Sequence, residues 1–273
     1  MDVLVDADWL ADHLGGVVLA DVRWYLDGRD GRAAYESGHI PSAVFVDLDA
    51  DLSGPGDPTD GRHPLPSPGQ FAAAMGRLGI GTDDTVVAYD DSGGGTAGRF
   101  VWMLRVTGHD AALLDGGLPA WPGQLETGPS PSRPMAPFVA RPWPAAALAD
   151  ADGTADAAKT GAVLDARSID RFRGENETID RRPGHIPGAR SAHWTANLDP
   201  VTGRFLPPSA LRARFEALGV RAGREIVAYC GSGVSACANL VALERAGFAG
   251  ARLYVPSWSG WSADPDRAAA TGD

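Results

Sequence analysis

Two short apolar runs, Thr85-Val-Val-Ala-Tyr89 and Glu225-Ile-Val-Ala-Tyr229, are continuously hydrophobic rather than alternating, and both are rich in β-branched residues. That pattern is expected of a parallel strand buried on both faces. Each run is followed by a loop of small residues and then by a stretch with helical spacing of apolar positions, Ala97–Gly108 after the first and Ala236–Gly247 after the second. Strand, tight loop and helix make the α/β unit of an open sheet, in which ligands gather beyond the carboxyl ends of the strands. The predicted fold class is therefore α/β, with two open, mainly parallel sheets flanked by helices.

The two runs belong to a longer internal repeat. Asp21 and Arg23, in VVLADVRW, match Asp165 and Arg167, in AVLDARS, at an offset of 144 residues. SGHIPSA, beginning at Ser37, matches PGHIPGA, beginning at Pro183. LGIGTDDTVVAYDDSGGG, from Leu78, matches LGVRAGREIVAYCGSGVS, from Leu218, at an offset of 140, and Trp121 and Trp261 close the copies at that same offset. One repeat per domain indicates duplication. The first domain is expected over residues 1–125 and the second over 160–273. Between them, residues 126–159 are rich in Pro and Ala, and each proline removes an amide donor, so this stretch reads as a linker.

Composition narrows the function. The chain has 273 residues, 44% of them hydrophobic, and a formal net charge of −11. That charge lacks the basic surplus needed to neutralise a phosphate backbone, so nucleic acid is not an expected partner. No run approaches the roughly 18 unbroken apolar residues of a membrane helix. The acidic start, MDVLVDADWL, lacks the basic residues of a leader, so the expected location is the cytoplasm. The six histidines are scattered, and no metal or organic cofactor is expected.

Only two cysteines occur, Cys230 and Cys237, both in the loop and helix start CGSGVSAC. The glycines and small residues let backbone amides turn inward, and the loop enters a helix near Ala236. Inward amides together with a helix N-terminus form an anion cradle, and the same field favours a thiolate held at its centre. A free cysteine is often only a small buried hydrophobe. Here the repeat supplies an internal control: the Asp–Arg pair, the GHIP histidine His185 and Trp261 have twins in the first copy and read as scaffold. Cys230 has none, because its counterpart is Asp90, and Arg171 likewise stands where the first copy has Asp27.

The tandem copies, the GHIPG turn, RFRG and CGSGVSAC resemble the two-domain rhodanese family, the loop being most similar to its 3-mercaptopyruvate sulfurtransferase branch. The resemblance covers nearly the whole chain and implies a silent N-terminal domain, an active C-terminal one, and a cleft between them. It implies catalytic roles for Cys230, Ser232, His63 and Asp49, with Ser232, His63 and Asp49 grouped to manage a proton. It implies that Gly231, Gly233, Val234 and Ser235 shape the substrate cradle, Ser235 replacing the usual threonine. Arg171 matches an arginine that binds the donor's anionic group, a role suited to a planar charged fork. The second such arginine is either Arg181 or Arg182, because the usual Glu-Pro-Arg spacing is altered. Pro256 and Gly260 also depart from the family's closing segment, where a glycine and an acid are usual.

The implied reaction passes sulfur from 3-mercaptopyruvate or thiosulfate, through a persulfide on Cys230, to cyanide, a small thiol or reduced thioredoxin. Thiosulfate-specific members tend to carry basic residues just after the cysteine, and Gly231 and Ser232 there favour mercaptopyruvate. Two other readings remain in play: a thiosulfate-specific enzyme, and a redox or sulfur-relay module using Cys230 and Cys237. A cysteine phosphatase would need an arginine six residues after the nucleophile to clamp phosphoryl oxygens, and position 236 is alanine.

Overall fold

The structure is a computed structural model and describes residues 1–129 and 133–273. The chain divides into two units by contact: residues 1–54, 65–143 and 199–205 form the first, and residues 55–64, 144–198 and 206–273 the second. In the first, β1 (Leu4–Val5), α1 (Ala7–His13), β2 (Val18–Asp21), α2 (Gly31–Ser37), β3 (Val44–Phe45), α3 (Pro68–Arg77), β4 (Val86–Tyr89), α4 (Ala97–Val106) and β5 (Ala111–Leu114) follow in order. In the second, β6 (Leu148–Ala149), α5 (Ala151–Thr160), β7 (Ala162–Asp165), α6 (Ile169–Arg173), β8 (Arg190–Ser191), α7 (Pro208–Ala217), β9 (Ile226–Tyr229), α8 (Ala236–Arg245), β10 (Arg252–Tyr254) and α9 (Ser257–Ala263) repeat the plan. A single helical turn at Pro58–Asp60 also belongs to the second unit.

Each unit holds a five-stranded sheet, ordered β1-β5-β4-β2-β3 in the first and β6-β10-β9-β7-β8 in the second, and the strands within each are parallel. β4 and β9 sit at the centre and every residue of both is buried, which is why their sequence shows no alternation. From β7 the chain crosses to one side of the sheet, and from β9 to the other. The carboxyl ends of these two neighbours thus flank the switch point at which open sheets bind ligands. The loops carrying Arg171 and Cys230 both begin there.

The Asp–Arg pairs are buried braces in both copies. Arg23 meets Asp21 at 2.7 Å and donates to the Gly38 carbonyl, and Arg167 meets Asp165 at 2.6 Å and donates to the Gly184 carbonyl. They tie the strand end to the GHIP turn. That turn is held a second time by tyrosines at the ends of the central strands: Ile40 N donates to the Tyr89 hydroxyl at 3.0 Å, and Ile186 N to that of Tyr229 at 3.2 Å. The histidines of the turn are structural too. His185 stacks on Phe172 with centroids 3.7 Å apart and bonds the Phe172 carbonyl, and burial pushes its pKa down.

The expected linker is shorter than residues 126–159. Residues 130–132 lie outside the described residues, and 133–143 run along the first unit, where Val139 N donates to Thr82 Oγ1 and Trp143 Nε1 to the Pro66 carbonyl. The prolines stop at Pro144. The following proline-free stretch forms β6 and α5, with the Asp150 side chain accepting from Gly153 N at 2.7 Å as the helix cap. The second unit therefore begins well before residue 160.

Removing either central tyrosine hydroxyl leaves a buried amide of the GHIP turn unpaired. Tyr229→Phe and Tyr89→Phe are each expected to lower stability by about 1–3 kcal/mol. Urea titration followed by tryptophan fluorescence checks this; a change below a few tenths of a kcal/mol would show that the turn does not depend on the bond.

Candidate active site

Cys230 directly follows β9 and is buried, its thiol at the start of a loop that leads into α8. The amino end of α9 fixes this loop by its carbonyls: Trp258 N donates to the Cys230 oxygen and Ser259 N to the Gly231 oxygen, both at 2.9 Å. Cys230 N in turn donates to Ser257 Oγ at 3.1 Å. Gly233 takes φ of 75°, a conformation that favours glycine. With the outer carbonyls held by α9, the loop's next amides are free to face the other way.

The first unit shows what such a loop accommodates. Asp90 occupies the position of Cys230, and its carbonyl likewise accepts from Leu118 N at 2.8 Å. Its carboxylate accepts four backbone N–H groups, from Ser92, Gly94, Thr96 and Ala97, at 2.8–2.9 Å. A built-in anion thus fills the cradle of that copy. The offset of 140 places the amides of Ser232, Val234, Ala236 and Cys237 at the matching positions. Cys237 N is spent on the Val234 carbonyl at 3.0 Å, whereas those of Ser232, Val234 and Ala236 donate to no other group among the described residues. Ser235 precedes α8 and makes no side-chain cap bond.

Ser232 and His63 come together. Both are buried, and Ser232 Oγ and His63 Nδ1 are hydrogen-bonded at 2.8 Å across 169 residues of sequence. His63 reaches the second unit because residues 55–64 belong there: the turn Pro58–Asp60 packs on α9, and Arg62 N donates to Ser259 Oγ at 3.1 Å. This packing explains the glycine at position 260 of the closing segment. A Cβ on Gly260 would stand 2.5 Å from both the Thr59 oxygen and Pro256 Cβ, and one on Gly61 would stand 2.5 Å from the Pro256 oxygen. An acid at 260 would push the segment away. Asp49 lies in the first unit, where its carboxylate accepts from Trp24 Nε1 at 3.2 Å.

Arg171, on α6, is held by two buried acids. It donates through Nε and Nη2 to Glu177 at 3.1 and 3.0 Å, and through Nη2 to Asp180 at 2.8 Å. Glu177 also meets Arg167 at 3.3 Å, and Asp180 is paired with Arg62. The result is an alternating row of charges, Asp165, Arg167, Glu177, Arg171, Asp180 and Arg62, running outward from the end of β7. Burial raises the Glu177 pKa, but the Asp180 and Ile179 amides and Arg171 outweigh it and hold the carboxyl below the usual range. For Asp180, burial prevails over Arg62 and Arg171, and its pKa is raised.

The two remaining arginines separate clearly. Arg182 is a brace: its guanidinium donates to the carbonyls of Ser262, Arg267, Trp261 and Asp264 at 2.8–3.0 Å, capping the end of α9. With its donors committed to backbone, the expected substrate-binding role does not fit it. Arg181 is exposed and, with Arg62, Ile179, Asp180 and Ser259, lines an open cavity of about 220 Å³. Arg62 is a residue that the sequence reading passed over. Its only local signal was adjacency to His63 in GRHPLP.

Neither Cys230 nor Cys237 takes part in a disulfide. Cys237 Sγ donates to the Gly233 carbonyl at 3.5 Å from within α8 and is fully buried. Among the described residues no group of acids, histidines and cysteines could hold a metal, and no helix is long and apolar enough to cross a membrane.

Two matches to the Rhodanese-like domain family, over residues 6–124 and 146–264, take in most of the chain. The chain belongs to the rhodanese family, in its tandem-domain form, and is a sulfurtransferase. A Pseudomonas aeruginosa protein named as a 3-mercaptopyruvate sulfurtransferase is 46% identical over 281 residues, covering 99% of this chain and 98% of that protein. A Mycobacterium tuberculosis protein named as a thiosulfate sulfurtransferase is 41% identical, covering 97% of this chain and 95% of its own length. Among solved structures, the Escherichia coli 3-mercaptopyruvate sulfurtransferase superposes with a TM-score of 0.84 at 34% identity, covering 94% of this chain and 99% of that one.

The charge row generates one expectation and the Arg182 cap another. Glu177→Gln should lower stability near neutral pH by about 3 kcal/mol, because it leaves buried arginines without their counter-charge. A depressed carboxylate stabilises above its unfolded pKa and loses that contribution as pH falls through the folded value. The variant should therefore show a flatter acid limb in a plot of Tm against pH than the parent. Arg182→Ala should lower Tm while leaving the donor KM within about twofold, since it removes a helix cap. A KM rise of tenfold or more with unchanged Tm would return Arg182 to the substrate site.

Proposed function

We propose that sulfur transfer runs through a persulfide on Cys230, with 3-mercaptopyruvate and thiosulfate as donors. The observation that carries this reading is the exchange of Asp90 for Cys230 at the same position. The first copy fills its amide cradle with a fixed carboxylate bound by four N–H groups, whereas the second places a thiol there and keeps amides available. A cradle that suits a carboxylate also suits a thiolate and the terminal sulfur of a persulfide.

The thiolate attacks the donor's outer sulfur, forming the S–S bond of the persulfide. With thiosulfate, the donor's own S–S bond breaks and sulfite leaves with the electron pair. With mercaptopyruvate, the C–S bond breaks, and the enolate of pyruvate takes up a proton in place of the one given up by the donor thiol. Ser232 and His63, already hydrogen-bonded, pass that proton. Asp49 completes the group in this proposal on the strength of the family resemblance. Cyanide, a small thiol or reduced thioredoxin then attacks the outer sulfur and restores the thiolate. The proposed location is the cytoplasm, where both cysteines stay reduced.

The donors are distinguished by the proton. Only mercaptopyruvate needs Ser232 and His63 at the bond-breaking step, which supports it as the preferred donor. Thiosulfate remains a second donor because Arg171 presents a charged fork to its sulfonate oxygens.

Steady-state turnover on both donors tests the reading. Cys230→Ala should abolish both activities, and donor-treated wild type should gain the mass of one sulfur atom on the peptide that carries Cys230. Ser232→Ala should lower kcat on mercaptopyruvate by about a hundredfold, the range of general acid–base catalysis, with thiosulfate turnover within about threefold. Activity persisting in Cys230→Ala would sink the mechanism. Equal losses on the two donors would sink the proton role.

A further inference from the structure

Gly231 is the residue directly after the nucleophile, and the space its side chain would fill is occupied by guanidinium groups. A Cβ built there would stand 2.9 Å from Arg62 Nη2, 3.6 Å from Arg171 Nη1 and 3.7 Å from Arg171 Nη2. The Arg62 contact is the tight one and the Arg171 distances are ordinary contacts, so what they mark is two guanidinium ends lying directly beside the nucleophile's neighbour. The two arginines reach the same point from opposite directions in sequence, Arg171 from α6 and Arg62 from the segment that packs on α9.

Their hydrogen bonds show which nitrogens are committed. Arg62 gives Nη1 to Asp180, and Arg171 gives Nε and Nη2 to Glu177 and Asp180. Arg62 Nη2 and Arg171 Nη1, which both face Gly231, donate to no group among the described residues. Asp180 lies between the two guanidinium groups and holds both in place while leaving one donor edge of each open. Two charged N–H edges fixed beside a nucleophile, with an amide cradle next to them, are a receptor for a small oxyanion.

We infer that Arg62 is the second anion-binding arginine of this enzyme, acting with Arg171 as a two-sided clamp on the carboxylate or sulfonate of the donor. The inference rests on the sulfur-transfer reading of Cys230. It assigns to Arg62 the role expected of Arg181 or Arg182. The structure offers a reason for the reassignment: Arg182 is consumed as a cap, and the three atoms nearest a Cβ at Gly231 belong to Arg62 and Arg171, none to Arg181. The clamp also revises the argument from the neutral loop. Positive charge next to Cys230 is present, delivered from residue 62 rather than by residues 231 and 232, and it serves a dianion such as thiosulfate as well as a carboxylate.

The test separates anion binding from sulfur chemistry by alkylating Cys230 with two reagents of similar size, anionic iodoacetate and neutral iodoacetamide. The full chain is used as wild type, Arg62→Gln and Arg62→Lys, and the rate ratio of the two reagents is the readout. Arg62→Gln should lower the iodoacetate-to-iodoacetamide ratio by about tenfold, the order of one charge-assisted hydrogen bond. It should also raise KM for both donors with kcat within about threefold. Arg62→Lys keeps charge but not the fork and should fall between the two. An unchanged ratio in Arg62→Gln overturns the inference. So does an equal slowing of both reagents, which would mean that Arg62 only supports the segment carrying His63. Failure of the donor-treated wild type to form a persulfide would sink the underlying mechanism instead, and would leave the alkylation ratio readable.

Discussion

A ring of backbone N–H groups beyond the carboxyl end of a buried parallel strand is an electrostatic demand that something must satisfy. Both halves of this chain build such a ring after a central strand, and both anchor it through the carbonyl of the residue that follows the strand, Asp90 or Cys230. The first half meets the demand permanently with the Asp90 carboxylate and becomes scaffold. On the proposed mechanism, the second offers the same field to the sulfur of Cys230, and the catalytic asymmetry between two similar folds reduces to which atom occupies that ring.

The parts that depend on chain-local physics were legible in the sequence. Unbroken apolar runs marked the central strands because parallel strands covered on both faces have no polar side to alternate with. The repeat exposed the Asp–Arg braces and the GHIP turns, and it singled out Cys230 by showing where the copies differ. The prolines of 133–143 were a valid signal of irregular chain, but the signal stopped at Pro144. Asp150, a helix cap, marked the restart and was read through as linker. Position in the sequence suggested a boundary near 160 that capping chemistry places earlier.

What escaped the sequence reading was contact between distant segments. Residues 55–64 sit within the N-terminal copy in sequence and pack with the C-terminal one, and nothing in their composition announces it. Gly260 looked like a departure from a family pattern; it is small because the backbone of Thr59 and the side chain of Pro256 come close. The judgement that the loop after Cys230 is neutral was true of residues 231 and 232 and untrue of the space around them, which Arg62 and Arg171 fill. Likewise, the choice between Arg181 and Arg182 could not include Arg62, because local spacing compares only neighbours. Ser232 and His63 are hydrogen-bonded although 169 residues separate them.

The charge row joins these observations. Three acids, Asp165, Glu177 and Asp180, alternate with three arginines, Arg167, Arg171 and Arg62, so the row is neutral as a whole. A neutral row cannot attract a donor by surplus charge, and the chain's net charge of −11 would oppose long-range attraction of an anion. Recognition must then come at short range, from N–H edges that the row leaves uncommitted and holds still. That is a demanding arrangement, since each acid must fix an arginine without covering its outward edge. It also explains why the acids are buried: a solvated carboxylate on a mobile side chain would follow the guanidinium and close over the site, whereas Glu177, tied to the amides of Ile179 and Asp180, cannot. The first copy has only the initial pair, Asp21 with Arg23, and its next arginine, Arg29, is exposed and paired with Asp27. Extension of the row from the strand end to Gly231 is therefore specific to the copy that carries the thiol, and it gives the second half a reason to keep its acids beyond holding the fold together.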